Sequence, residues 1–200
     1  MFHSRIKRNI ADILLQNREM EKYKTYKHNP PHLFRPNGKY LITGAIYQKR
    51  NLLLSDESKT RLIESLRLGF NSRGWKLEEW VVLHNHYHII AESSENVSTL
   101  PAIIQNVHKF TAMWLKKNCK EAKTYKKIWW NYWDTCITYE SSYFARLNYL
   151  WNNPLKHGVT DCAETWKFGS YYYRIQEDKS YIEKLYDQYP FDGVNVKDDF

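Results

Sequence analysis

The segment Val81-Val82-Leu83-His84-Asn85-His86-Tyr87-His88-Ile89-Ile90 carries an apolar run, a short polar turn and a second run rich in β-formers. Two such runs around a tight turn at His84-Asn85 predict a β-hairpin, with strands over 75–83 and 86–91. In an extended strand, side chains at i and i+2 leave the same face, so His86 and His88 point the same way. Two neutral imidazoles on a rigid strand supply half of a divalent-metal site. The remaining donors must come from elsewhere in the chain.

Upstream of the hairpin, Tyr40-Leu41-Ile42-Thr43-Gly44-Ala45-Ile46-Tyr47 predicts a first strand, bounded by Asn37-Gly38 and a basic loop. A helix is expected from Ser55 to Arg73. Ser55 or Asp56 can cap it, Leu62, Ile63, Leu66 and Phe70 form its apolar stripe, and Gly74 ends it. Downstream, a second helix runs from Ser98 or Thr99 to Asn118, with Pro101 tolerated in its first turn. Thr135 to Thr138 reads as a fourth strand. A third helix follows from Ser141 to Asn153, stopped by Pro154 because a residue before proline avoids the helical region. The order β-α-β-β-α-β is that of a ferredoxin-like α+β domain with an antiparallel sheet, here with one helix added after it. The expected domain spans 37–160, between an N-terminal extension (1–36) and a C-terminal one (161–200). In the first extension Ile10, Ile13 and Leu14 sit at helical spacing before His28-Asn29-Pro30-Pro31 breaks the pattern.

Composition narrows the partners. The net charge is +8, and 16% of residues are aromatic, including 8 Trp and 16 Tyr. Cations pair with phosphates and flat rings stack on bases, so nucleic acid suits this composition better than a membrane surface. The balance is steepest between residues 105 and 133, where Lys109, Lys116, Lys117, Lys120, Lys123, Lys126 and Lys127 face one acid, Glu121. That stretch ends in Trp129-Trp130-Asn131-Tyr132-Trp133. Lys109, Lys116, Lys117, Lys120, Lys126, Lys127, Trp129 and Trp130 are therefore the candidate DNA contacts. A solvated helix end followed by core aromatics is an equal alternative. Cys119, Cys136 and Cys162 are widely spaced and odd in number, which indicates neither a disulfide framework nor a thiolate zinc site. No apolar run approaches a membrane span, and a reducing cytoplasm is the expected compartment.

The third helix holds what the histidine strand lacks. Tyr149 and Asn153 are four apart, one helical turn, and face the same way. Asn153 offers a carbonyl oxygen as a third ligand, and Tyr149 a hydroxyl nucleophile. Taken singly, each has an ordinary role: a packed tyrosine, hydrogen-bonded strand histidines, a helix stop.

At these residues the chain resembles the HUH single-tyrosine transposases. Leu83-His84-Asn85-His86-Tyr87-His88-Ile89-Ile90 is similar to that family's Pro-Asn-His-Val-His-Leu-Leu segment, and His86-Tyr87-His88 to its His-hydrophobic-His signature. Tyr149-Leu150-Trp151-Asn152-Asn153-Pro154-Leu155-Lys156-His157-Gly158-Val159 resembles its Tyr-Ile-x-x-Asn-Pro-Val-x-x-Gly-Val block. Trp166-Lys167-Phe168-Gly169-Ser170-Tyr171 resembles the aromatic-Ser-Ser-Tyr segment that follows, and the nearest branch is the REP-associated tyrosine transposases. The chain departs from the pattern at His84, where proline is usual, and at Gly169, where serine is usual.

The resemblance implies Tyr149 as the nucleophile and His86, His88 and Asn153 as ligands of Mg²⁺ or Mn²⁺. Softness alone would favour Mn²⁺ or Zn²⁺ for the imidazoles. The implied activity is cleavage and rejoining of single-stranded DNA at hairpin or palindromic sites through a 5′-phosphotyrosine, by a monomer or homodimer. Two alternatives stand beside it. One is a domesticated, non-catalytic nucleic-acid binder derived from such a transposase. The other is an unrelated hydrolase with zinc on His84, His86 and His88.

Overall fold

A computed structural model describes residues 22–24 and 32–189. The elements are β1 (Lys22–Lys24), β2 (His32–Phe34), β3 (Lys39–Ala45), α1 (Asp56–Asn71), β4 (Lys76–Val82), β5 (His86–Glu92), α2 (Leu100–Asn118), β6 (Trp133–Ile137), α3 (Glu140–Lys156), α4 (Tyr171–Glu177) and α5 (Lys179–Gln188). β1 and β2 form a small antiparallel pair. The other four strands make one antiparallel sheet in the order β4-β5-β3-β6, as a ferredoxin-like β-α-β-β-α-β chain must. The helix expected around Ile10 to Leu14 lies outside the described residues.

Alternation along the strands divides the protein into two cores, one on each face of the sheet. Tyr40, Ile42, Tyr87, Ile89 and Ala91 pack with Leu62, Leu66 and Phe70 of α1 and Ile103, Ile104 and Val107 of α2. Leu41, Val81 and Ile90 point the other way, against Phe144, Leu147 and Leu150 of α3 and Ile182 and Leu185 of α5. The period of two thus sends Tyr87 to one core while His86 and His88 face α3. One backbone position is cut to fit: Gly44 pairs with Tyr87, and a Cβ built there would lie 2.4 Å from the Tyr87 ring.

The α1 cap forms as expected, with Ser55 Oγ accepting from the Ser58 N–H at 3.1 Å and Gly74 following the helix at φ 72°. The first strand of the sheet ends at Ala45 rather than Tyr47 and α1 at Asn71 rather than Arg73, and three further boundaries differ. Residues Val97–Thr99 wind as a separate 3-10 turn before α2 begins at Leu100. β6 starts two residues early, because Trp133 and Asp134 still pair with Thr43 and Ile42. Pro154 does not stop α3. It sits inside the last turn, where its missing N–H costs a single hydrogen bond, and the helix runs on to Lys156. The true stop is Gly158 at φ 62°, with Gly158 N–H bonded to Leu155 O and Val159 N–H to Pro154 O, a Schellman ending.

Beyond α3, the segment 168–170 runs along the free edge of β4. Val82 N–H donates to Phe168 O, and Ser170 N–H to Trp80 O. Gly169, where the chain departs from the usual serine of the pattern it resembles, has only ordinary van der Waals neighbours around a built Cβ, so a side chain fits there. Among the described residues no helix is long and apolar enough to cross a membrane.

Candidate active site

α3 is held against the sheet by buried polar contacts. Trp151 Nε1 donates to Glu79 Oε2 on β4 at 3.3 Å, and Arg174 of α4 grips the same carboxylate at 3.0 Å. Asn148 Nδ2 donates to Leu185 O and Tyr189 O near the end of α5. With the helix so placed, the positions one turn apart in α3 meet the alternate histidines of β5. His86 Nε2 lies 3.1 Å from Asn153 Oδ1, and the Tyr149 ring meets the edge of His88 with centroids 5.4 Å apart. The His86 and His88 rings are themselves 5.1 Å apart. All four expected residues are thus brought together within one chain, and all four are buried.

Each histidine has a fixed outer partner. Asn85 Oδ1 sits 2.7 Å from His86 Nδ1, and Thr43 Oγ1 sits 2.7 Å from His88 Nδ1. An amide oxygen only accepts, and one faces each ring nitrogen, Asn85 Oδ1 at Nδ1 and Asn153 Oδ1 at Nε2, so a neutral His86 donates to only one of them and the tautomer with its proton on Nδ1 leaves Nε2 bare. Burial, reinforced by neighbouring His88, His157 and Lys156, pushes His86 down to about 2, so it is neutral at pH 7. Thr43 can accept in the same way from His88 Nδ1–H, the arrangement that metal-binding histidines use to hold their tautomer.

The site fits a divalent ion on its own chemistry. His86 Nε2 and Asn153 Oδ1 are donor atoms of the kinds such an ion takes, they stand together, and Asn153 Nδ2 is buried without a hydrogen-bond partner. His84 does not join them. Its ring packs at 5.8 Å against Trp166, its Nδ1 is buried without a hydrogen-bond partner, and burial lowers its pKa. Among the described residues no three His, Cys, Asp or Glu side chains are arranged to hold a metal, so the zinc site of His84, His86 and His88 does not form.

Three groups near the site, His157, Lys156 and Thr43, had no role assigned from sequence. The His157 ring is 4.7 Å from His86, and Lys156 Nζ lies 4.7 Å from the centre of the Tyr149 ring. The signal for His157 was present, since Tyr149, Asn153 and His157 continue one i, i+4, i+8 stripe. Nothing in the order of residues pointed to Thr43.

The expected DNA contacts divide. Lys109, Lys117, Lys120, Lys126 and Lys127 are exposed and Lys116 is half-buried. Trp130 is 37% exposed, but Trp129 is only 6% exposed and belongs to the core. Its ring stacks on His108 at 4.3 Å and its Nε1 donates to Thr111 Oγ1. The bridge between Ile46 and Trp129 extends the pleat one step, and alternation then sends neighbouring tryptophans to opposite sides.

Comparison with known proteins matches this architecture. A REP-associated tyrosine transposase of Escherichia coli (strain K12) is 25% identical over 138 residues, which cover 68% of this chain and 77% of that protein. A solved structure of a REP-associated tyrosine transposase bound to a REP hairpin superposes with a TM-score of 0.59 at 21% identity, covering 90% of this chain and 95% of that one. That likeness shows the fold. The family model described as "Transposase IS200 like" matches residues 39–153, from the first strand of the sheet to the last of the four clustered side chains. With more than half its length inside that match, the chain belongs to the IS200-like transposase family.

Proposed function

We propose that this transposase-family protein cleaves and rejoins single-stranded DNA at hairpin or palindromic sites, with Tyr149 as nucleophile and Mg²⁺ or Mn²⁺ held by His86, His88 and Asn153. The chemistry is assigned to residues 37–160 and to the cytoplasm. One observation carries the proposal: a helix phenol and amide lie against a pair of strand imidazoles in the same chain, with Asn153 Oδ1 at 3.1 Å from His86 Nε2. One chain supplies every group, so a monomer suffices. The hairpin bound by the structural relative supports a folded single strand as substrate.

When bound, the ion would draw charge from a phosphate oxygen and make phosphorus more electrophilic. Tyr149 Oη then forms a bond to phosphorus as the bond to O3′ breaks. The phenol gives up a proton, the departing O3′ takes one, and the strand end remains as a 5′-phosphotyrosine. Attack by another 3′-hydroxyl reverses the step and joins strands, because an ester is exchanged for an ester. Tyr149 is 2% exposed, with the Lys156 ammonium lying over its ring. A phosphate brought to Tyr149 would gain the Lys156 cation beside it.

The test is covalent capture of labelled single-stranded hairpin DNA in Mn²⁺, resolved by denaturing electrophoresis. The parent protein is expected to form the adduct and Tyr149→Phe to form none while binding DNA nearly as well. An adduct that survives Tyr149→Phe refutes the nucleophile. Salt-sensitive binding with no adduct from the parent favours the non-catalytic binder instead.

A further inference from the structure

The loop after β3 and the segment before β6 together carry a second cluster that the chemistry above does not use. Tyr47 and Trp130 stack with centroids 4.9 Å apart and planes within 22°. They are set side by side by backbone bonds, Tyr47 N–H to Ile128 O at 2.7 Å and Trp130 N–H to Ala45 O at 2.8 Å. Lys127 Nζ lies 4.2 Å from the Trp130 ring centre and 5.0 Å from that of Tyr47. The Arg50 guanidinium covers Tyr125 at 3.6 Å. A stacked aromatic pair at the surface, half open to water and flanked by cations, contributes little to a core. It presents the two things an unpaired nucleotide needs, a π-face for the base and a cation for the phosphate.

The cluster is also fixed relative to the metal ligands. Gln48 and Lys49 both lie in the left-handed region, at φ 60° and 54°, a backbone that non-glycine residues hold only when tied. The tie is Asn85, whose Nδ2 donates to Lys49 O at 3.1 Å while its Oδ1 meets His86 Nδ1 at 2.7 Å. One side chain therefore joins the aromatic loop to a ligand of the candidate metal site.

We propose that Tyr47 and Trp130 form a stacking subsite for one unpaired nucleobase of the strand presented to the active site, with Lys127 and Arg50 receiving its flanking phosphates. This rests on the proposed single-strand DNA chemistry and names a subsite for it. The Lys127 ammonium leaves the rings for phosphate as the base takes its place.

The experiment measures anisotropy of a labelled single-stranded hairpin oligonucleotide, in EDTA, with the full chain carrying Tyr149→Phe so that no cleavage intrudes. An abasic site is moved one position at a time along the unpaired flank. The expected result is a single position where loss of the base weakens binding, roughly 5- to 150-fold for one stacked base. Trp130→Ala should weaken the intact oligonucleotide by a similar factor, become indifferent to that abasic site, and be rescued by Trp130→Phe. A flat abasic scan overturns the subsite, and this arm needs no change at Trp130, so misfolding of a variant cannot obscure it. Trp130→Ala that keeps parent affinity and parent sensitivity also overturns it. Failure of covalent capture with an abasic-sensitive position intact would count against the nuclease chemistry and leave the subsite standing.

Discussion

Replacing Thr43 by valine keeps the shape of the side chain and deletes the one hydroxyl that sits 2.7 Å from His88 Nδ1. Both residues are buried and directly paired across β3 and β5, so water cannot take the hydroxyl's place. Removing one partner of a buried hydrogen bond costs about 1–3 kcal/mol. For a chain of this size about 2 kcal/mol lowers Tm by roughly 4–8 °C. The second effect is on metal affinity. Without an acceptor at Nδ1 the proton is free to move to Nε2, the atom that must stay bare to bind an ion. Loss of such an outer partner typically weakens metal binding about 10- to 100-fold. Calorimetric titration with Mn²⁺ at pH 7.5, alongside thermal melts, reads both quantities. Thr43→Ser, which retains the hydroxyl, should stay within a few-fold of the parent. The reasoning is refuted if Thr43→Val melts lower but binds Mn²⁺ within twofold of the parent. Stability alone would then explain the contact. A parent that binds no Mn²⁺ would remove the proposed metal site itself.

Three further outcomes are expected. Gly44→Ala drives a Cβ to 2.4 Å from the buried Tyr87 ring, whose hydroxyl is held by His108 at 3.0 Å, and should destabilise the protein by about 1–3 kcal/mol or more in a urea melt. Arg174→Met strips the buried Glu79 carboxylate of its cation; with Arg174 34% exposed, the loss should be about 2–3 kcal/mol. Burial already pushes the Glu79 carboxyl up and loss of the guanidinium pushes it further, so the penalty should be larger at pH 8 than at pH 5. Burial pushes His108 down to about 3 from an ordinary 6.5, so the unfolded chain takes up a proton first and stability falls as pH drops from 6.5 toward 3. This group's share of the slope is about 1.4 kcal/mol per pH unit. His108→Gln should flatten the urea-midpoint profile by that one proton, and an unchanged slope would disprove the assignment.

Local spacing along the chain was sufficient for the hairpin, the antiparallel β-α-β-β-α-β order, the shared face of His86 and His88, and the shared face of Tyr149 and Asn153. Each follows from a backbone period of 2 or 3.6 residues that any neighbouring pair obeys. The same periods did not foresee that Pro154 lies within α3, because a proline in a last turn loses a single bond while Gly158 and the packed Trp151 and Asn148 hold the helix. Nor did they separate Trp129, turned into the core on His108, from Trp130, left outside on Tyr47. That choice depends on where the bridge to Ile46 falls, a contact across more than eighty residues. Thr43 behind His88 and Asn85 between His86 and Lys49 are likewise products of strand register and loop closure. Composition and period specify which side chains share a face. Which faces meet, and which polar atoms are left aimed at one another where water is excluded, is decided only when the sheet and its helices are packed.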